Sequence, residues 1–110
     1  MSFEFDNQYK DYLAELGFKL CGIGDAVKES YTYGNMNCSV IAVFYKCVRI
    51  YTNVYLSHDY YGNDIWTNSN DFMKDADNFL DFKKYVDEFI LNYKKFSMFY
   101  KQQKINQDFE

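Results

Sequence analysis

Residues 38–56 read CSVIAVFYKCVRIYTNVYL, a run of largely β-branched and aromatic residues without glycine or proline over nineteen positions. This composition favours β-structure, but the run is far longer than an ordinary strand of about 5–6 residues. The sequence therefore predicts two strands joined by a tight turn, with Lys46 and Cys47 at its centre. Neither residue favours the positive φ of a two-residue hairpin turn, so one long, curved strand is the alternative.

The two halves of this run differ in their apolar pattern. Residues 38–45 are apolar on both faces except at Ser39, which predicts a central strand covered on both sides. Residues 48–56 alternate, and alternation places successive side chains on opposite faces of a strand. One face would carry Val48, Ile50, Val54 and Leu56, and the other Arg49, Tyr51, Asn53 and Tyr55. The second face is either covered by a partner or displayed to one.

Upstream of this run, the sequence predicts a short amphipathic helix over about residues 7–16, because its apolar residues fall on one helical face. Asp6 is placed to cap its first turn, and Gly17 stands where a left-handed residue ends a helix. FKLCGI and AVKESYTY then flank the turn-like GIGD, as a hairpin or as one bent strand with a glycine bulge. The segment YGNMN at 33–37 predicts a chain reversal.

Downstream, residues 57–70 read SHDYYGNDIWTNSN and hold the sole histidine and the sole tryptophan. Connections of this length in compact domains are commonly functional or disordered, and the aromatic residues argue against disorder. Two interpretations remain open. Ile65 and Trp66 close the open end of the core, or Tyr60, Tyr61 and Trp66 form an interaction surface ringed by acids.

The last predicted element is a long helix that begins near Asp71 and is capped by Ser69 or Asn70. Asn78 is a candidate break between two helices, and residues 106–110 are expected to fray. Apolar residues recur at spacings of three and four, as in a helix packed on a sheet: Phe79, Phe82, Val86, Phe89, Tyr93, Phe96 and Tyr100. The predicted fold is a single α+β domain over residues 1–110. It has a short N-terminal helix, a three- to four-stranded antiparallel sheet and a long C-terminal helix, in α-β-β-β-α order.

Composition limits the compartment and the chemistry. No apolar run approaches the roughly 20 residues that span a bilayer, and the N-terminus lacks the apolar segment of a signal peptide, so we expect a cytoplasmic protein. The three cysteines, Cys21, Cys38 and Cys47, form no CxxC pair and are expected to be buried free thiols. No cofactor and no metal are expected.

Charge is unevenly distributed along the chain. The net charge is −4, which disfavours direct binding of nucleic acid. Lys94, Lys95, Lys101 and Lys104 form a basic C-terminal segment, which helix-dipole electrostatics alone would explain. The acidic segment holds six aspartates, Asp59, Asp64, Asp71, Asp75, Asp77 and Asp81, against the single Lys74.

Catalytic chemistry has few candidates in this sequence. His58 is the only imidazole, and no nucleophile, P-loop or dinucleotide motif accompanies it. No catalytic residue is therefore assigned, and a metal-assisted hydrolase built on His58, Asp59 and Asp64 is the minor alternative. A second alternative is nucleotide binding on the sheet, with the base stacked on Tyr51 or Tyr55 and Arg49 meeting phosphate.

The element order, the small acidic body and a composition typical of low-GC genomes resemble small phage-encoded inhibitor proteins, including anti-CRISPR proteins of the DNA-mimic type. The same element order occurs in double-stranded RNA-binding domains, but the acidic balance argues against that function. The resemblance implies that the aspartates imitate phosphates and occupy a basic channel of a host nucleic-acid enzyme.

The sequence thus predicts a non-enzymatic binding protein that contacts a host protein and no membrane. A homodimer through exposed tyrosines is a further option. The predicted partner-binding residues are Asp59, Tyr60, Tyr61, Asp64, Trp66, Asp71, Asp75 and Asp77.

Overall fold

The computed structural model describes residues 3–108 and shows an α+β fold, as predicted. Two helices flank the strands in the chain, α1 (Asn7–Leu16) and α2 (Phe79–Asp108). The strands are β1 (Lys19–Ile23), β2 (Glu29–Thr32), β3 (Ile41–Val43), β4 (Val48–Tyr51), β5 (Tyr55–His58), β6 (Asp64–Thr67) and β7 (Met73–Ala76). A short 3₁₀ helix, Asn70–Phe72, precedes β7.

Helix α1 begins and ends where the sequence predicted. The Asp6 carboxylate accepts the Gln8 N–H at 3.1 Å, which satisfies one of the free donors of the first turn. Gly17 ends the helix at φ 93°, a left-handed conformation that glycine adopts without strain. The Phe18 N–H then returns to the Leu13 carbonyl at 3.0 Å. Both local signals are confirmed.

The main sheet has five antiparallel strands in the order β1-β2-β3-β4-β7. Its first four strands come from the region predicted as sheet. The GIGD segment joins β1 and β2 in an antiparallel hairpin, so the single bent strand is wrong, although the register of the pair does shift between Leu20 and Gly22. The segment 33–37 reverses the chain, with the Met36 N–H bonded to the Tyr33 carbonyl at 3.1 Å.

The turn between β3 and β4 lies one residue earlier than predicted. Val43 pairs with Val48, and the Phe44 N–H donates to the Cys47 carbonyl at 2.8 Å, so Tyr45 and Lys46 occupy the tip. A four-residue loop removes the need for positive φ, and no non-glycine residue in the described chain adopts it.

Residues 48–56 form two strands in different sheets. The alternation holds in β4, where Val48 and Ile50 are buried, but the chain leaves the main sheet at Thr52. The Thr52 hydroxyl donates to the Phe72 carbonyl at 2.7 Å, which fixes this departure. Leu56 is 44% exposed, so its predicted place on the buried face is wrong, because β5 belongs to a separate two-stranded sheet with β6.

The segment predicted as a long loop and a helix start is instead a hairpin followed by an edge strand. Ser69 caps only the 3₁₀ helix, through the Asp71 N–H at 3.2 Å, and residues 73–76 pair with β4 as the fifth strand. The predicted start of α2 near Asp71 is therefore wrong. Asn78 begins α2 instead of breaking it, because its side-chain oxygen accepts the Asp81 N–H at 2.9 Å.

One hydrophobic core lies between the main sheet and both helices. Ile41, Val43, Val48 and Ile50 of the sheet meet residues of α1 and α2. The predicted apolar series of α2 belongs to this core or packs against it: Phe79, Phe82, Val86, Phe89, Tyr93, Phe96 and Tyr100. Strand β3 is buried at all three positions, as predicted for a central strand, although it is shorter than the predicted 38–45.

The three cysteines are free thiols, but Cys21 is exposed and the other two are half-buried, so the predicted burial is wrong for Cys21. Helix α2 continues through Asp108, and residues 109–110 lie outside the described part, so fraying over 106–110 stays a prediction. Between residues 3 and 108, no helix has both the length and the apolar character that crossing a bilayer requires.

Candidate interaction surface

The β5–β6 hairpin ends in a turn that is fixed by the side chain of Asp59. Its Oδ1 atom accepts the backbone N–H groups of Tyr61 and Asn63, both at 2.9 Å, and the Asn63 amide donates to Oδ2 at 3.2 Å. Gly62 completes the turn at φ 83°. Hydrogen bonds from Asn63 are the main cause that lowers the pKa of Asp59 below its usual value, since they stabilise the carboxylate.

This turn presents two tyrosine rings to solvent. Tyr60 is 97% exposed and Tyr61 is 84% exposed. Their ring centroids lie 5.5 Å apart with the planes at 89°, an edge-to-face pair. We call Tyr60 and Tyr61 the hairpin tip. Two large amphipathic rings on a fixed turn are typical of a binding surface, because little entropy is lost when such residues are buried by a partner.

Trp66 lies away from the hairpin tip and inside the protein. It is 8% exposed, and its indole contacts the rings of Tyr93, Phe96 and Tyr100 at centroid distances of 5.4, 4.9 and 5.4 Å. It therefore fits the interpretation in which this residue closes the core. In this structure its indole is not available as an anchor for a partner, and the predicted aromatic set separates into Trp66 and the hairpin tip.

A polar cluster at the base of the hairpin is built around Asp64. Its carboxylate accepts the Tyr100 hydroxyl at 2.8 Å and lies 3.1 Å from His58 Nε2 and 3.3 Å from Lys104 Nζ. The Tyr100 hydrogen bond is the largest cause that lowers the pKa of Asp64. A cleft of about 180 Å³ lies beside this cluster and is lined in part by Leu56 and Phe99.

The predicted metal triad is only partly assembled. His58 and Asp64 are in contact, but the Asp59 carboxylate is turned toward its own backbone amides. Within the described residues, no group of three His, Cys, Asp or Glu side chains is arranged to hold a metal ion.

The predicted nucleotide-binding residues are only partly brought together. The Arg49 guanidinium makes two hydrogen bonds to Asp75, from Nε at 2.8 Å and from Nη2 at 3.2 Å. The side-chain hydrogen bond to Asp75 raises the pKa of Arg49. Tyr51 follows in the same strand, whereas Tyr55 lies in the second sheet with its ring 6.2 Å from that of Phe72. The group expected to meet phosphate is therefore engaged by a carboxylate of the same chain.

The six aspartates fall into two groups. Asp59 and Asp64 belong to the hairpin, next to the C-terminal half of α2. The second group runs along the next elements: Asp71 lies in the 3₁₀ helix, Asp75 in β7, Asp77 just before α2 and Asp81 in its first turn. Asp71 and Asp77 are exposed, and Asp75 is paired with Arg49. The Asn78 amide donates to both Asp77 and Asp81 at 3.1 Å. The acidic segment is thus divided along the length of α2.

Asn63 and Gly62, which hold the hairpin tip, were not selected from the sequence. The signal was present, because a short glycine-containing segment, DYYGN, separates two runs of strand-forming residues. Comparison with protein-family models, with curated proteins and with solved structures finds no match to this chain. Function is therefore inferred from the geometry of the chain's own residues.

Proposed function

We propose that this protein is a non-enzymatic binding protein that contacts a protein partner through the hairpin tip. The observation that carries this proposal is the exposure of Tyr60 and Tyr61, 97% and 84%, on a turn fixed by Asp59. Large exposed rings are costly to leave in water, and tyrosine is enriched at the anchor positions of interfaces. A turn that is ordered before binding reduces the entropy lost on association.

The partner class we propose is a host nucleic-acid enzyme, such as a CRISPR effector, which the protein would inhibit. Support comes from the exposed carboxylates of Asp71 and Asp77 and from the net charge of −4. Carboxylates that face a basic channel speed association and make binding depend on salt. The carboxylates of Asp59, Asp64 and Asp75 accept hydrogen bonds within the chain. Their role in this surface is therefore to hold its structure.

The test is affinity capture from host lysate by the immobilised protein, followed by mass spectrometry. We expect the double variant Tyr60→Ala/Tyr61→Ala to lose capture of a nucleic-acid enzyme at least tenfold, because each anchor is worth about 2 kcal/mol or more. Tyr45→Ala is the matched control: Tyr45 is a 71% exposed tyrosine on the β3–β4 turn, and its loss should leave capture unchanged.

A salt series separates the two parts of the proposal. Asp71→Asn/Asp77→Asn should weaken capture at low salt and reduce its salt dependence, while the tyrosine variant should lose capture at every salt concentration. Equal capture by wild type and by Tyr60→Ala/Tyr61→Ala would contradict the tyrosine contact. Capture that is independent of Asp71 and Asp77 would contradict the acidic contribution.

A further inference from the structure

Helix α2 carries a second apolar stripe on the side that faces away from the core. Its members are exposed and none belongs to the core: Leu80 (78%), Leu91 (52%), Met98 (72%) and Ile105 (55%). At about 100° per residue, these four positions fall within roughly 40° of one another around the helix axis. The same geometry places the buried Phe82, Val86 and Phe89 on the opposite side. We call this set the outer stripe.

Three of the four outer-stripe residues have the spacing of one row of a helix–helix seam. Leu91, Met98 and Ile105 follow one another at intervals of seven residues, the repeat that keeps side chains facing a partner helix. A helix that packs on a sheet needs only one apolar side, and its opposite side is normally charged or polar. The outer stripe therefore indicates a second contact that α1 and the sheet do not supply.

We propose that the outer stripe packs antiparallel against the same stripe of a second copy of this chain. Charge selects this occupant and this direction. Lys94, Lys95, Lys101 and Lys104 follow Leu91 with no acidic residue before Asp108. The part of α2 that precedes Leu91 carries Asp81, Asp87 and Glu88 beside Lys83 and Lys84. A parallel pair would oppose the two basic halves to each other. An antiparallel pair lays each basic half against the N-terminal half of its partner, where acidic residues slightly outnumber lysines. The opposed helix dipoles favour the same direction.

The register follows from three pairs of residues. Leu80 would face Ile105 of the second copy, Leu91 would face Met98, and Asp87 would face Lys101. The midpoints of all three pairs lie between residues 92 and 95, so a single two-fold axis near the centre of α2 satisfies them together. Asp87 already accepts the Tyr12 hydroxyl, and a carboxylate has further acceptor positions for a lysine.

This inference does not rest on the proposed function. The hairpin tip lies on a separate sheet, and none of its residues belongs to the outer stripe. Failure of one proposal would leave the other in place.

Sedimentation equilibrium of the purified full chain over a wide concentration series tests the pairing. The wild-type mass should rise with concentration from 13.2 kDa toward twice that value. Met98→Glu should remain monomeric, because it places a carboxylate in the seam. Phe99→Glu is the matched control: Phe99 is 61% exposed and adjacent in sequence, but lies about 100° further round the helix, so this variant should still dimerise. Circular dichroism confirms that both variants fold.

A charge exchange tests the register. Lys101→Glu should weaken the dimer, and Asp87→Lys/Lys101→Glu should restore it, because the exchanged pair attracts again. A wild-type chain that stays monomeric throughout the series overturns the proposal, as does equal loss of dimer in Met98→Glu and Phe99→Glu. Vesicles of phosphatidylcholine and phosphatidylserine supply a further arm. If the wild type is monomeric and co-sediments with these vesicles, and Met98→Glu does not, the outer stripe contacts lipid and the dimer proposal is wrong.

Discussion

The indole of Trp66 joins the second sheet to the C-terminal half of α2. Three aromatic rings of α2 enclose it, and the Trp66 carbonyl accepts the Asn37 N–H at 2.7 Å, which connects the same residue to the turn after β2. Its burial draws the hairpin against the helix and leaves Tyr60 and Tyr61 at the projecting end. One side chain therefore positions the candidate interaction surface without contacting a partner.

We expect Trp66→Ala to lower the free energy of unfolding by about 3–5 kcal/mol, the usual cost of truncating a buried tryptophan. Tyr60→Ala should change it by less than about 0.5 kcal/mol, because the ring is exposed in the folded state. Urea denaturation followed by far-ultraviolet circular dichroism measures both. Equal stability of Trp66→Ala and the wild type would contradict the burial of this indole.

At the scale of elements, β7 determines where α2 begins. Residues 73–76 pair with β4, and the bidentate Arg49–Asp75 contact joins the two strands on one face. Because residues 73–76 are paired in this edge strand, they cannot be helical, and α2 starts only after Asn78. Lys74 of β7 also contacts Glu88 of α2 at 2.9 Å, which ties the edge strand to the helix behind it.

Asn78→Ala should cost about 1 kcal/mol of stability, because it removes the side chain that accepts the Asp81 N–H at the first turn of α2. Asn70→Ala is the matched control and should be nearly neutral, since Ser69 caps the short 3₁₀ helix. Thermal and urea unfolding of the two variants give the comparison. A larger loss in Asn70→Ala than in Asn78→Ala would place the helix start where the sequence first suggested it.

The elements that sequence reasoning found are those with local signals. Asp6 and Gly17 mark both ends of α1, and the three- and four-residue spacing marks the core side of α2. Strands β6 and β7 have four residues each, too few to show a period, and β7 depends on pairing with β4 far back in the chain. The sequence therefore assigns β6 to a long loop and extends the helix-like spacing after Phe79 back over β7, because nothing local opposes either assignment.

At the scale of the whole molecule, the predicted acidic and aromatic surface is split into two parts, because the main sheet and the β5–β6 hairpin pack on different parts of α2. The molecule measures 58 × 27 × 24 Å, and α2 runs for 30 residues, about 45 Å at 1.5 Å per residue. The main sheet packs against the N-terminal part of α2, and the β5–β6 hairpin packs against its C-terminal part. Asp64 and Asp75 are close in the sequence but separate in the structure. Asp64 pairs with Lys104 beside the hairpin, and Asp75 pairs with Arg49 in the main sheet.

Two tyrosines make the stability of the whole fold depend on alkaline pH. Burial, followed by the hydrogen bond to Asp87 that joins α1 to α2, raises the pKa of Tyr12 from 10.0 to about 12. Burial, followed by the charge of Glu29, raises the pKa of Tyr31 from 10.0 to about 12. In both cases the folded state holds the phenolic proton more tightly than the unfolded chain does.

A raised folded-state pKa contributes stability that is fully present below the unfolded pKa and is lost as the pH rises through the folded pKa. The free energy of unfolding should therefore fall between pH 10 and pH 12 beyond what other groups cause. Urea unfolding at a series of alkaline pH values measures this slope. Tyr12→Phe/Tyr31→Phe should flatten it, because neither ring can then ionise, although the variant loses the Asp87 hydrogen bond at every pH. Tyr60→Phe should leave the slope as in the wild type, since that side chain is exposed in both states. An equally steep fall in the double phenylalanine variant would mean that other groups control alkaline unfolding.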